Sequence, residues 1–267
     1  MNPRERTERT DPWSLYRTLI EGVPDGPCVR DYCLGTHWSY VEADCGMGVS
    51  FTCRGGARGR EARDLRGLPL REAARLSMSW RFEEATLGVA ALNAYYAQRA
   101  LLDGLGASYD DPIELPDDAI RKMDAFELHR PRIEASASKN VVVVGHFPHA
   151  ERIAEYANLT VLERNCAHDL DTPDPACEYV LPGADFAFFT GVTLINKTAP
   201  RLLELASSAE TVLVGPSVVM SPALFEHGAD VLAGSVVADP EKVRFAVKNG
   251  TGRFFGEALA MASLSRL

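Results

Sequence analysis

Residues 140–149 read Asn140-Val141-Val142-Val143-Val144-Gly145-His146-Phe147-Pro148-His149, and this stretch decides the fold. Four consecutive valines that give way to glycine, histidine and proline describe a strand covered on both faces and closed by a turn. A second apolar stretch ends at Glu163-Arg164-Asn165, and a third at Thr190-Gly191, with Asn196-Lys197-Thr198 just beyond. Gly215-Pro216-Ser217 ends another in the same manner. Short buried strands with small, polar or acidic residues at their ends build an open parallel α/β sheet. Such sheets bind ligands at the carboxyl ends of their strands.

Working outward, strands are expected at 140–145, 159–163, 185–189, 210–214 and 230–237. Helices are expected at 148–157, 198–207, 221–227 and 240–249, with a terminal helix over 253–265. This alternation implies parallel pairing with right-handed crossovers. Upstream, Asp11 and Pro12 open a short helix over 12–22. Three β-like stretches near 27–34, 37–44 and 47–53, joined through Gly35 and Gly46, read as an antiparallel meander. Residues 54–66 read as a loop. Two helices follow, 70–77 and 83–102, the second apolar on several faces and therefore buried. Gly104 to Asp118 reads as a linker, with Asp117 and Asp118 placed to cap a helix running towards His129. The expected domains are 1–107 and 108–267, and a single linker would permit hinge motion between them.

The chain has 267 residues, 46% of them apolar, so it can bury a full core. With 28 basic and 37 acidic side chains its net charge is −9, which argues against nonspecific nucleic-acid binding. The first dozen residues lack the apolar run of a signal peptide, and no run approaches the ~20 residues that span a bilayer. A cytoplasmic protein with a small-molecule ligand, no nucleic acid and no membrane partner is expected, with homo-oligomerisation left open. Cysteines 28, 33, 45, 53, 166 and 177 include no Cys-x-x-Cys pair, so reduced thiols are expected. The first four read as small buried hydrophobes.

Gly145, His146, Phe147 and Pro148 stand where a phosphate loop would, without the G-x-G-x-x-G fingerprint. Glu163, 18 residues after Gly145, stands where an acid accepts ribose or polyol hydroxyls. Thr190, Gly191, Asn196 and Thr198 supply polar groups at the next strand end, and Gly215, Pro216 and Ser217 at the one after. Each set also serves ordinary turns and caps. Ser217 has no adjacent base and no Gly-x-Ser-x-Gly setting, so it is not read as a nucleophile. His146 could act as a general base or pack as an ordinary histidine. Cys166, His168, Asp169 and Cys177 in one loop-like stretch, with His146 and His149 near, carry metal-ligand chemistry at spacings that match no standard site.

Gly145-x-Phe147-Pro148, Glu163-Arg164-Asn165, Asp185 with Thr190-Gly191, Asn196-x-Thr198, Gly215-Pro216-Ser217 and Leu232-Ala233-Gly234 occur in this order, after Leu87-Gly88-Val89-Ala90-Ala91-Leu92-Asn93-Ala94. Together they resemble the putative heavy-metal chelation family over nearly the whole chain beyond residue 10. The resemblance implies an enolase-N-terminal-like α+β domain followed by a Rossmann-like parallel-sheet domain, with a site between them. It also implies a role in making, condensing or hydrolysing small pterin-, flavin- or siderophore-like metal chelators. This chain departs from the family pattern at Cys166, where the family continues Glu-Arg-Asn with Pro.

Glu84 and Asn93 are polar groups in an apolar helix, read either as site residues or as a helix-end cap and a satisfied core amide. A buried carboxylate at Glu84 could move protons. Glu84 and His146 are therefore the catalytic candidates. Asn93, Gly145, Phe147, Pro148, Glu163, Asn165, Thr190, Gly191, Asn196, Thr198, Gly215, Pro216 and Ser217 are the ligand-binding candidates. Cys166, His168 and Cys177 are weak metal candidates. The cofactor is open, a nucleoside-like ligand or a heavy metal fitting best. Whether the chain is a catalyst stays open too: the alternatives are a non-catalytic binder of a metal or metal chelate, and an S-adenosylmethionine-dependent methyltransferase-like protein.

Overall fold

A computed structural model describes residues 11–58, 63–110, 121–252 and 256–266. The first helix, α1 (Ser14–Glu21), starts two residues later than expected, with Trp13 rather than Asp11 as its N-cap residue, and the Asp11 carboxylate accepts the Trp13 N–H at 3.0 Å. Strands β1 (Val29–Leu34), β2 (Trp38–Ala43) and β3 (Gly46–Phe51) form the antiparallel meander in sequence order. Helix α2 (Leu70–Ala74) runs into a 3-10 turn at Arg75–Met78.

Helix α3 (Phe82–Tyr96) is buried without interruption from Ala85 to Ala94. It lies across the meander so closely that a Cβ on Gly48 would run into the backbone of Ala90, Asn93 and Ala94. The helix expected over 83–102 is two helices: Gln98 is extended, and its carbonyl starts α4 (Arg99–Gly104). The composition is helical on both sides of this break, so no proline or glycine announces it.

Strand β4 (Ser108–Tyr109) falls inside the expected linker and pairs with the last strand of the chain. Asp117 and Asp118 lie outside the described residues. Asp124 caps α5 (Ala125–Ala135), accepting the N–H groups of Phe126 and Glu127, both at 3.0 Å.

Then follow β5 (Asn140–Val144), β6 (Asn158–Glu163), β7 (Asp171–Pro173), α6 (Cys177–Val180), β8 (Phe186–Thr190), α7 (Val192–Ile195), α8 (Ala199–Leu205), β9 (Glu210–Val214), α9 (Ala223–Glu226), β10 (Val231–Val237), α10 (Pro240–Lys248) and β11 (Leu259–Ser265). The large sheet has the order β4-β11-β10-β9-β8-β5-β6-β7. From β10 to β7 every neighbour is parallel, and β11 and β4 close one edge antiparallel. The fold class is therefore α/β, an antiparallel three-stranded sheet beside a mostly parallel eight-stranded one.

Three local expectations are corrected. The terminal segment is strand β11, not a helix: Leu259, Ala260, Ala262 and Leu264 bury against the sheet, and small alternating residues fit either period. The helix expected at 148–157 is only a 3-10 turn at Ala150–Glu155, because His149 takes a left-handed conformation (φ 68°) just after Pro148. The helix expected at 221–227 shortens to α9. Strand β7 lies in a stretch that carries few apolar residues and was not anticipated.

One apolar core runs through both sheets. It joins Val89 and Leu92 of α3 to Phe189, Leu213 and Leu232 of the parallel sheet. Tyr16 adds a strut by donating its hydroxyl to the Leu194 carbonyl at 2.9 Å. At the other end Trp38 donates its indole N–H to Gly252 O at 3.2 Å, and Arg244 pairs with Glu42 at 2.5 Å. A hinge opening between the sheets would have to expose this shared core. Among the described residues no helix is long and apolar enough to cross a membrane.

Candidate functional site

The parallel strands deliver their carboxyl ends to one edge, where the end of β3 meets them. Gly145 (φ 104°) and Gly215 (φ 99°) both take backbone conformations that side chains resist. Gly145 also leaves room for Thr190, since a Cβ there would approach Thr190 Cγ2 to 2.9 Å, while a Cβ on Gly215 would make an ordinary contact, 3.8 Å, with the Phe147 ring. Gly145, Phe147, Thr190 and Gly215 therefore meet, as the sequence implied. Gly191 packs on the backbone of Ser217 and Val218.

The next layer joins the two sheets. Ser217 Oγ accepts the Phe51 N–H at 2.8 Å. Asn93, buried in α3, donates its Nδ2 to Val49 O at 2.9 Å and to Pro216 O at 3.3 Å. Its Oδ1 is buried with no hydrogen-bond partner among the described residues. Asn93 and Ser217 thus act as cross-sheet ties beside the crevice.

Other candidates serve local geometry. Asn196 Oδ1 accepts the N–H of Thr198 at 3.1 Å and its hydroxyl at 2.6 Å, closing a turn. Glu84 accepts Ser79 Oγ at 2.5 Å and pairs with Arg81 at 2.6 Å, side-chain bonds at the start of α3 that cap no backbone N–H. Glu163 stands at the end of β6 and accepts the Arg164 N–H at 3.0 Å. It has no cationic partner among the described residues. Pro148 and Asn165 are exposed at the rim.

His146 has a partner that the sequence reading missed. Its Nε2 lies 3.1 Å from Asp171 Oδ1 and 3.2 Å from Oδ2. The Asp171 side chain has no exposed surface, and its Oδ2 also accepts the N–H groups of Ala167 (2.7 Å) and His168 (2.8 Å). Burial pulls this carboxyl upward, but those two N–H groups and the His146 imidazole outweigh it and hold it below the usual range. The Nδ1 of His146 has no partner among the described residues, and the His168 ring lies 4.7 Å away edge-on. A carboxylate that fixes one imidazole nitrogen and leaves the other free is the arrangement of a general base. The signal was absent because Asp171 sits among Asp169, Leu170 and Thr172, which read as surface.

Two further residues were not singled out as site residues: Lys197, between Asn196 and Thr198, and Cys53, which reads as a small hydrophobe. The structure sets the thiol within the electrostatic reach of both Lys197 and Arg164. Burial pushes the Cys53 thiol up to about 11 despite these cations. Burial also brings Lys197 down to about 8.

The metal candidates do not form a site. Cys166 is exposed, with Sγ 3.8 Å from Glu163 O, while Cys177 packs half-buried against the main core from α6. Among the described residues no three His, Cys, Asp or Glu side chains are arranged to hold a metal ion. A heavy metal bound directly by side chains therefore does not fit these residues. An open groove of about 1180 Å³ lies at the opposite edge, lined by Arg132, Glu178, Glu210, Asp230 and Arg266. It includes none of the crevice residues.

The chain is similar to an uncharacterised protein of Methanocaldococcus jannaschii, 29% identical over 233 residues that span 82% of this chain and 83% of the relative. A crystal structure of a family protein of unknown function from Desulfitobacterium hafniense superposes with a TM-score of 0.80 at 32% identity, covering 96% of this chain and 98% of that one. Another from Pyrococcus horikoshii gives 0.76 at 21% identity, covering 94% and 98%, and shows the fold alone. Two family profiles described as putative heavy-metal chelation match residues 16–96 and 127–260, one on each side of the crevice. With both profiles and the full-length likeness falling on the same two-sheet frame, the chain belongs to the putative heavy-metal chelation family.

Proposed function

We propose that this protein is an enzyme acting on a small, polar, metal-chelating molecule bound in the crevice between β3 and the carboxyl edge of the parallel sheet. The observation that carries this reading is the His146–Asp171 pair, with Nδ1 of the imidazole unpaired at the end of β5. Asp171 orients the ring and stabilises its protonated form. His146 then takes a proton from the attacking group and, as the imidazolium, delivers it to the leaving group in a later step, as condensation or hydrolysis requires.

Gly145 and Gly215 let the ligand approach the backbone closely, Phe147 gives it an apolar face, and the Glu163 carboxylate accepts its hydroxyls. Side-chain donors for a metal are not grouped among the described residues, so the family's link to heavy metals is best met by a ligand that itself chelates. Without a glycine-rich turn, the methyltransferase reading has less support.

Native mass spectrometry with elemental analysis of the same purified sample tests the proposal. A retained organic mass, lost or altered in His146→Gln, supports it. Stoichiometric metal with no organic mass would overturn it in favour of direct metal binding.

A further inference from the structure

Lys197 is built unlike a surface lysine. Its backbone is left-handed at φ 70°, a conformation that costs a non-glycine residue energy and persists where the surroundings impose it. Its side chain is half-buried at the foot of α8, just past the β8 strand end. Nζ donates to Ile195 O at 2.6 Å and lies 5.8 Å from the centre of the Tyr16 ring. One of its three N–H donors is thus committed, and no carboxylate pairs with it among the described residues.

Within electrostatic reach of Lys197 lies Cys53, whose N–H is held by Thr86 Oγ1 at 3.1 Å. The charged groups that bear on that thiol are Arg164 and Lys197, both cationic, and Glu83. Glu83 is turned to the Gly55 N–H, which it accepts at 3.2 Å. Arg164 donates Nε to Asp174 at 3.1 Å and is exposed at the rim. A partly desolvated ammonium with free donors and no counter-charge is costly unless an anion joins it. The neighbouring thiol stays protonated at neutral pH, so it does not fill that role.

We propose that Lys197 anchors an oxyanion subsite in the crevice, so that the molecule bound there carries a carboxylate or phosphate group seated between Lys197 and Cys53. This deepens the proposed function and rests on the same crevice being the ligand site. The two free ammonium donors make charge-assisted bonds to the oxyanion, and the neutral thiol and the Tyr16 ring exclude water beside it. Because burial depresses the lysine, the subsite holds its charge below about pH 8 and loses it above.

Calorimetric titration of the full chain with malonate and with inorganic phosphate tests this. Malonate serves for a series from pH 6.5 to 9.5 because its charge is constant there. The expected result is saturable binding that weakens about 10-fold, equal to ~1.4 kcal/mol, in Lys197→Met and changes far less in Lys197→Arg. Binding to the wild type should also fade above pH 8.

Preference for phosphate over malonate would assign a phosphoryl group, and the reverse a carboxylate; either supports the subsite. Wild type that takes up neither probe, or Lys197→Met that binds both equally well, would overturn it. A retained neutral ligand bound equally by wild type and Lys197→Met would refute the oxyanion subsite and leave the crevice reading standing. Metal without any organic ligand would refute the crevice reading, while the malonate titration would still report on Lys197.

Discussion

Replacing Lys197 by methionine should change the protein's stability by an amount that depends on pH. The lysine titrates near 8 in the folded chain against its usual 10.5, because burial disfavours the charged form. At ~1.4 kcal/mol per pH unit the full difference sets a ceiling of about 3 kcal/mol. Water still reaches part of the side chain, which screens the charge and brings the expected penalty to about 1–2 kcal/mol. The folded pKa is the lower one, so the penalty is fully present below pH 8. It is relieved as pH climbs towards 10.5, because the folded state then releases a proton that the unfolded state still holds. Methionine keeps the length of the chain without the charge. It leaves the Ile195 carbonyl without its donor, an offset of ~1 kcal/mol at every pH. The diagnostic quantity is therefore the change in the mutant–wild-type difference between pH 6.5 and 9.5, read from urea unfolding at both. Relative to wild type, the methionine variant should lose about 0.5–1 kcal/mol of stability across that range. A difference that stays constant, or grows with pH, would refute the claim that Lys197 is held as an unpaired, partly desolvated cation.

Gly48→Ala should lower stability by about 2 kcal/mol or more, since its methyl meets the α3 backbone rather than a movable side chain; a melting temperature within a degree of wild type would contradict that packing. Ser217→Ala should cost about 1–3 kcal/mol by orphaning the Phe51 N–H, with faster hydrogen exchange at Phe51 as the local readout and unchanged exchange as the adverse result. In long-range ¹H–¹⁵N spectra, His146 should show its proton on Nε2 when neutral, and Asp171→Asn should disturb that preference; a proton on Nδ1 in the wild type would remove Asp171 from its positioning role.

The sheet was legible because its information is local. Val141 to Val144 can be little other than a doubly covered strand, and glycine at 145, 191 and 215 marks where the chain turns at each carboxyl end. The same logic failed at β11: Leu259-Ala260-Met261-Ala262-Ser263-Leu264 has apolar residues at both helical and strand spacings, and only pairing with β10 decides between them. Likewise the break at Gln98 follows from tertiary packing, without a proline or glycine in the sequence to mark it.

Chemistry was less legible than fold, because its pairs are made by topology. His146 was a candidate from its place after β5, but nothing in the sequence joins it to Asp171. That link exists because β7 lies parallel to β6 and begins beside the β5 turn. Cys53 and Lys197 are separated by about half of the chain, and they come within electrostatic reach because the Ser217–Phe51 and Asn93–Pro216 bonds hold the end of β3 against the parallel sheet. Those ties occupy residues that looked like ligand contacts, and they fasten the end of β3 to the carboxyl edge of the parallel sheet. The two sheets also share one core, so their placement is fixed by packing. On the proposed reading a ligand would be selected by charge and shape, and Lys197, the Nδ1 of His146, the Glu163 carboxylate and the buried Oδ1 of Asn93 are groups near the strand ends with bonding capacity left among the described residues.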